Sequence, residues 1–201
     1  MARLLSTAQR LTPTEHPIFL VLAAAGLRIG EAVGLQVGDL DVTGKRLHIR
    51  RMVRRGYINS PKNSKGRVVD LPAAAVAVLE RVREIRQVEA AYQGKEARWL
   101  FPGMGDMPLT PEGVRKAFWK VLKAAGLRKI RPHDLRHTYA TLAIQAGVPL
   151  LTVSRQLGHA SISTTADIYG HAVPGGNQAA ADVLEAVLTS NQTQPPRNLP
   201  S

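Results

Sequence analysis

His133-Asp134-Leu135-Arg136-His137-Thr138 is the stretch from which the rest of the chain can be read. It opens a helix predicted over about 133–146, which Gly147 ends, and three-residue spacing puts His133 and Arg136 on one face of that helix. Toward the C-terminus, further helices are predicted over about 149–157, 163–170 and 177–189. The tail from Ser190 holds three prolines and polar residues and is expected to be disordered, so the domain is placed at 1–189 and the tail at 190–201.

Toward the N-terminus, Thr110-Pro111-Glu112 reads as a helix start, with an N-cap, a proline in the first turn and an acid near the positive end. Val114, Phe118, Val121, Leu122 and Ala125 then keep helical spacing until Gly126, while 93–110 reads as a Gly- and Pro-rich loop. Pro72 opens a helix with Val78, Leu79, Val82 and Ile85 on one face. Between 46 and 71 the period changes. Leu47, Ile49 and Val53 alternate, Val68-Val69 belong to a later strand, and Pro61 to Gly66 is the loop between the second and third strands. Asp39-Leu40-Asp41 and Thr43-Gly44 read as turn chemistry. Residues 4–25 read as helix, interrupted or capped near Thr12-Pro13-Thr14, and the next helix runs through Leu35. The predicted fold is mixed α+β and mostly α-helical, with one small three-stranded antiparallel sheet and no internal repeat.

Composition agrees with a helical core, since 44% of the 201 residues are apolar but only 4% aromatic, leaving Ala, Leu, Val and Ile to fill the interior. The apolar run 17–27 is too short to span a membrane and no small-residue cleavage site follows it, so it reads as a buried helix. With no cysteine, disulfides, thiolate nucleophiles and Cys-type zinc sites are excluded. The net charge is +12, and its placement is uneven. Lys45, Arg46, Arg50, Arg51, Arg54, Arg55, Lys62, Lys65 and Arg67 fall in 45–67 with no acid among them, while the other 18 bases nearly balance the 15 acids. Such a run is either a solvated cationic face or the footprint of a polyanion.

Four separated pieces carry chemistry. Gly26-Leu27-Arg28-Ile29-Gly30-Glu31 sets an arginine at the end of an apolar helix with a glutamate one turn on. Pro61-Lys62-Asn63-Ser64-Lys65-Gly66-Arg67 is a lysine-bearing hairpin. The third is His133 to Thr138, and the fourth is Leu157-Gly158-His159-Ala160-Ser161-Ile162-Ser163-Thr164-Thr165 followed by Ile168-Tyr169-Gly170-His171. Each alone is weak, but in this order they resemble the tyrosine recombinase family, also called phage-type integrases, over about residues 4–173.

That resemblance implies a tyrosine-recombinase catalytic core that breaks and rejoins DNA through a 3′-phosphotyrosine. Tyr169 would be the nucleophile. Arg28 and Arg136, with His133 and His159, would neutralise charge on the non-bridging phosphate oxygens, a task suited to planar, permanently charged guanidinium groups. Lys62 would protonate the departing 5′ oxygen, with Lys65 close enough to compete. Glu31 and Asp134 are expected to orient their neighbours; His137 and His171 are assigned to packing or minor phosphate contacts. With the motifs beside it, the basic strand region reads as a DNA face contributed by Arg50, Arg51, Arg54, Lys65 and Arg67. Double-stranded DNA is the expected partner, with a tetramer assembling only on DNA, in a bacterial or phage-derived cytoplasmic setting. No cofactor, metal or membrane is expected. The family's N-terminal DNA-binding domain has no counterpart in the 201 residues, and Leu4-Leu5-Ser6-Thr7-Ala8-Gln9 looks like the end of the catalytic domain's first helix. Three rivals stay open: an inactive DNA-binding remnant, a type IB topoisomerase-like relaxing enzyme, and a basic helical RNA-binding domain.

Overall fold

The computed structural model describes residues 1–59, 66–173 and 176–190. In chain order the elements are α1 (Ala2–Leu11), α2 (His16–Ala25), α3 (Ile29–Val33), a 3₁₀ turn (Val37–Asp39), β1 (Leu40–Asp41), β2 (Arg46–Ile49), β3 (Met52–Arg54), β4 (Tyr57–Asn59), β5 (Arg67–Asp70), α4 (Ala73–Tyr92), α5 (Pro111–Ala124), α6 (Pro132–Gln145), α7 (Leu150–Leu157), α8 (Ile162–Tyr169), a second 3₁₀ turn (Gly170–Ala172) and α9 (Gly176–Ser190). Helices form where the apolar spacing and the punctuation agree. Thr110 caps α5, its hydroxyl accepting from the Gly113 N–H at 3.1 Å, and Pro111 supplies the first helical residue. α9 runs to Ser190, one residue into the predicted tail; residues 191–201 lie outside the described residues.

The strand region differs from its prediction in two respects. The three-stranded antiparallel sheet is β1-β2-β5, pairing Leu40 with Leu47 and Leu47 with Val69. The segment around Val53 does not join it, and β3 and β4 form a separate hairpin instead. Leu40 and Asp41, read as turn chemistry, instead form β1, and only Thr43-Gly44 lies in the β1–β2 turn, where Asp41 Oδ1 accepts from the Gly44 N–H at 2.8 Å. Arg55 and Gly56 both take positive φ (50° and 78°), the combination a two-residue hairpin turn with the right strand twist demands. The loop carrying Lys62 and Lys65 falls at 60–65, outside the described residues.

The larger core joins Leu4 of α1, Phe19 and Leu22 of α2, Leu47 and Val69 of the sheet, Leu79 of α4, Phe101 of the segment between α4 and α5, and Phe118 of α5. Phe19 and Phe118 meet edge-on with centroids 5.3 Å apart, and truncating either to Ala removes about 3–5 kcal/mol. A second cluster holds Ala140 and Ile144 of α6, Val153 and Leu157 of α7, Tyr169 and Ala172. α6 belongs to both, since Leu135 at its start lies in the first, and it packs along α2. α4 outruns the core, so Ile85, predicted on its buried face, is 45% exposed. Among the described residues, no helix is long and apolar enough to cross a membrane.

Candidate active site

The site is assembled where α2, α6 and α7 end or begin against one another. Gly26 closes α2 in the left-handed region (φ 64°), and the chain turns so that Arg28 becomes the N-cap of α3. Glu31 closes that first turn, accepting from the Arg28 N–H at 2.8 Å and from Arg28 Nη1 at 3.0 Å. The same carboxylate accepts both Nη1 and Nη2 of Arg67 at 2.8 Å, a parallel two-donor pair reaching across from β5. Arg67 Nε donates to the Gln156 carbonyl at 3.1 Å. Gly158 makes room for this arginine. It has φ 69°, and a Cβ there would lie 2.8 Å from Arg67 Cδ. Burial alone would raise the Glu31 pKa; the Arg67 hydrogen bonds and charge, with those of Arg28, outweigh it and hold the carboxyl at about 2.

Arg136 is the largest fully buried side chain among the described residues. Its Nη1 donates to the Gly26 carbonyl at 2.6 Å and its Nη2 to the Leu157 carbonyl at 2.7 Å. These oxygens sit at the C-terminal ends of α2 and α7, where carbonyls lack helical partners and the dipoles favour a cation. One guanidinium therefore ties two helix ends together. Burial lowers the Arg136 pKa to about 10, and repulsion from Arg28 and Arg67 adds to that, opposed by Glu31 and Tyr169. It stays charged at neutral pH.

Three histidines surround this cation. His159 Nδ1 lies 2.8 Å from the buried Thr165 hydroxyl of α8. Desolvation, then the charges of Arg136, Arg28 and Arg67 and the nearby His133, lower its pKa to about 4, so the ring is neutral. His133 is lowered by desolvation, then by His137, Arg136 and Arg28. His133 and His137 stack edge to face, centroids 4.8 Å apart. Tyr169, only 3% exposed, places its hydroxyl 2.8 Å from His137 Nδ1, donating to it when the ring carries its proton on Nε2. Burial raises the Tyr169 pKa and Arg136 opposes the rise. The hydroxyl is thus protonated as it stands.

Arg28, His133, Arg136 and His159, from parts of the chain up to 131 residues apart, are brought within one another's electrostatic reach, and Tyr169 within that of Arg136. Asp134 serves the start of α6, accepting from the Arg131 N–H at 2.8 Å, a bond that lowers its pKa. Lys62 and Lys65 lie outside the described residues. The basic run divides. Arg54 and Arg50 are exposed, the latter also donating to Asp39 Oδ1 at 3.3 Å. Arg51 and Arg67, assigned to a DNA face from sequence, turn inward instead: Arg51 is paired with buried Asp39 and the Gly34 carbonyl, and Arg67 with Glu31. The physical reason is that each buried carboxylate requires a cation. His137, assigned to packing or minor phosphate contacts, does pack on His133 and also lies 2.8 Å from the tyrosine hydroxyl. Its four-residue spacing from His133 on the same helix was the available signal.

The pattern of the phage integrase family matches residues 1–174. A tyrosine recombinase XerC-like protein of Caldanaerobacter subterraneus subsp. tengcongensis is 31% identical over 187 residues, covering 83% of this chain and 48% of that protein. The putative prophage phiRv2 integrase of Mycobacterium tuberculosis is 32% identical over 196 residues, 94% of this chain and 50% of that one. The chain thus spans about half the length of the curated relatives it matches. Among solved structures, XerA recombinase superposes with a TM-score of 0.69 at 25% identity, covering 96% of this chain and 63% of that one. The Tn1549 transposon integrase in complex with transposon right end DNA gives 0.72 at 22% identity over 93% of this chain and 63% of that one. The helix-rich fold with its small sheet is that of tyrosine recombinase catalytic domains, and the chain belongs to the phage integrase family.

Proposed function

We propose that this chain is the catalytic domain of a site-specific DNA recombinase that breaks and rejoins DNA through a 3′-phosphotyrosine on Tyr169. The observation that carries this reading is the cradle itself: Arg28 and Arg136 lie with His133 and His159 in one electrostatic cluster, and Arg136 acts on the Tyr169 hydroxyl. Attack on a phosphodiester builds charge on its non-bridging oxygens. Arg136, already fixed by two carbonyls, and Arg28, held by Glu31, meet that charge without reorganising, and removing one such donor costs about 10²–10³ in rate. His159, with Nδ1 engaged by Thr165, offers Nε2 as a neutral donor. By the family resemblance, Lys62 takes the general-acid role. The phosphotyrosine conserves the energy of the broken bond, so resealing needs no nucleotide. DNA is the substrate class because relatives were solved with it: the Tn1549 integrase with transposon end DNA and XerH recombinase bound to difH substrate. Assembly as a tetramer on DNA belongs to the same proposal.

The test is a denaturing gel for protein–DNA adduct after incubation with a randomised pool of nicked suicide duplexes. Wild type forms an adduct and Tyr169→Phe forms none. No adduct from wild type favours a DNA-binding remnant. Adduct surviving in Tyr169→Phe names the wrong nucleophile and turns attention to Tyr139, whose pKa is raised by burial and whose hydroxyl is engaged with Gln156.

A further inference from the structure

Of the two arginines in the cradle, Arg28 is held less firmly. Arg136 is buried between two carbonyls, whereas the Arg28 side chain keeps 38% of its surface open and donates from Nη1 to Glu31 Oε1 at 3.0 Å. What fixes that carboxylate is Arg67. Its Nη1 and Nη2 each stand 2.8 Å from one Glu31 oxygen, so both oxygens are occupied and their directions set. Oε1 is left facing Arg28 Nη1, and Oε2 the Arg28 N–H. Arg67 is itself braced from behind. Its Nε donates to the Gln156 carbonyl at 3.1 Å, and its Cδ, Nε and Cζ lie within 3.0 Å of where a Gly158 Cβ would stand. Gln156 ties the far end of β5 as well, its Oε1 accepting from the Asp70 N–H at 3.2 Å and its Nε2 donating to the Asp70 carbonyl at 2.8 Å. The strand is thus clamped to α7 at both of its ends.

We infer that Arg67 is a positioning residue: by occupying both oxygens of Glu31 it keeps that carboxylate from capturing Arg28, and so leaves Arg28 available to the phosphate. The inference rests on the phosphotyrosine reading above and gives Arg67 no contact with DNA. Its basis is competition for one buried anion. Glu31 lies one helical turn from Arg28 and would form a parallel two-donor pair with it if its oxygens were free, the strongest pairing open to a guanidinium. An arginine so paired meets a phosphate already neutralised. With Arg67 in place, Arg28 shares a single oxygen and keeps most of its five donors for the substrate. The planar fork is what the task requires, since a lysine ammonium cannot cover two carboxylate oxygens in the same way. Arg67 also acts on Arg136 and His159 through its charge, which places the clamp in the same cluster as the cradle.

Kinetics of the full chain on the nicked duplexes separate positioning from DNA contact and from stability. Rates are referred to the fraction folded in urea melts. Arg67→Lys should lower the maximal rate of adduct formation about 10- to 10²-fold, the scale of a misplaced reacting group, with the DNA concentration for half-maximal rate unchanged. Added to Arg28→Ala it should change the rate hardly at all, because the group it positions has gone. Weaker DNA binding at an unchanged maximal rate overturns the inference and returns Arg67 to the DNA face. Effects that multiply in the double variant overturn it too, as does a maximal rate equal to wild type. Each of these leaves the phosphotyrosine reading intact, whereas no adduct from wild type overturns both. Arg67→Gln, which keeps a donor beside Glu31, gives the same comparison if the lysine variant does not fold. A second measurement is independent of turnover: ¹⁵N NMR of the guanidinium groups in the free chain, with Arg28 assigned by its loss in Arg28→Ala. Rotation of the Arg28 guanidinium should slow in Arg67→Lys as Glu31 closes on it. Rotation as fast as in wild type overturns the inference even if the rate falls.

Discussion

Glu31 shows how a supporting residue can dominate its surroundings. Its carboxylate is almost fully buried and anchors both Arg28 and Arg67, so ionisation is coupled to folding. The folded pKa of about 2 lies below the ordinary 4.5. The stability this contributes is therefore fully present above pH 4.5 and is lost as the pH falls through 2, amounting to about 3 kcal/mol at one unit per ~1.4 kcal/mol. Glu31→Gln is expected to be less stable than wild type by about that much at pH 7. The gap should narrow as urea melts are repeated at pH values from 4.5 down toward 2, and a constant gap would show that the ion pairs do not govern it. Arg136→Lys keeps a charge but loses the fork that reaches both the Gly26 and Leu157 carbonyls. It should cost about 2–4 kcal/mol in stability besides crippling cleavage, because hydrogen bonds to a charged group are worth about 1.5–3 kcal/mol each. A variant as stable as wild type would mean that the two helix ends do not depend on this side chain.

At the scale of elements, the α7–α8 connection carries more of the site than its length suggests. Gly158 ends α7 in the left-handed region with Arg67 packed against the place where a side chain would begin, and His159 follows at once. Gly158→Ala should destabilise by about 1–3 kcal/mol, from the positive φ and from displacement of the arginine. Chemical denaturation measures the cost; adduct formation should fall with it, since Glu31 and His159 both shift. If stability and rate are unchanged, Arg67 has another way to fit. α6 is the axis of the arrangement: its first two turns hold His133, Arg136 and His137 at the site, while its second half packs Ala140 and Ile144 into the smaller core.

On the scale of the whole molecule, the +12 charge divides into cations that hold the fold and cations left for a polyanion. Arg51 and Arg67 belong to the first group, and exposed Arg54 and Arg55 at the β3–β4 turn to the second. Affinity for duplex DNA should fall steeply between roughly 50 and 200 mM salt, as bound cations release counterions. Reversing Arg54 and Arg55 together to Glu should weaken binding and flatten that salt slope by about two while leaving the melt unchanged. Unchanged affinity would remove the hairpin from the DNA face. Arg51→Glu, in contrast, should unfold the chain more readily, because it sets a carboxylate against buried Asp39.

What the sequence determined by itself is what local physics settles. Thr110-Pro111, Gly147 and Gly158 punctuate helices because capping and left-handed turns are properties of a few adjacent residues. The spacing of His133 and Arg136 puts them on one face of any helix they share, and the order of the four motifs marks the family. Pairings between distant residues were not legible. Nothing near Arg67 announces Glu31, 36 residues away, or distinguishes it from Arg54 in the same basic run. Leu40 joins the sheet because Leu47 and Val69 align with it once the chain has folded back. The link between His137 and Tyr169 spans 32 residues and exists only because α8 packs against α6. Tertiary structure decided these because a buried carboxylate or hydroxyl takes whichever partner the packing brings within 3 Å, and that choice is made by the whole fold.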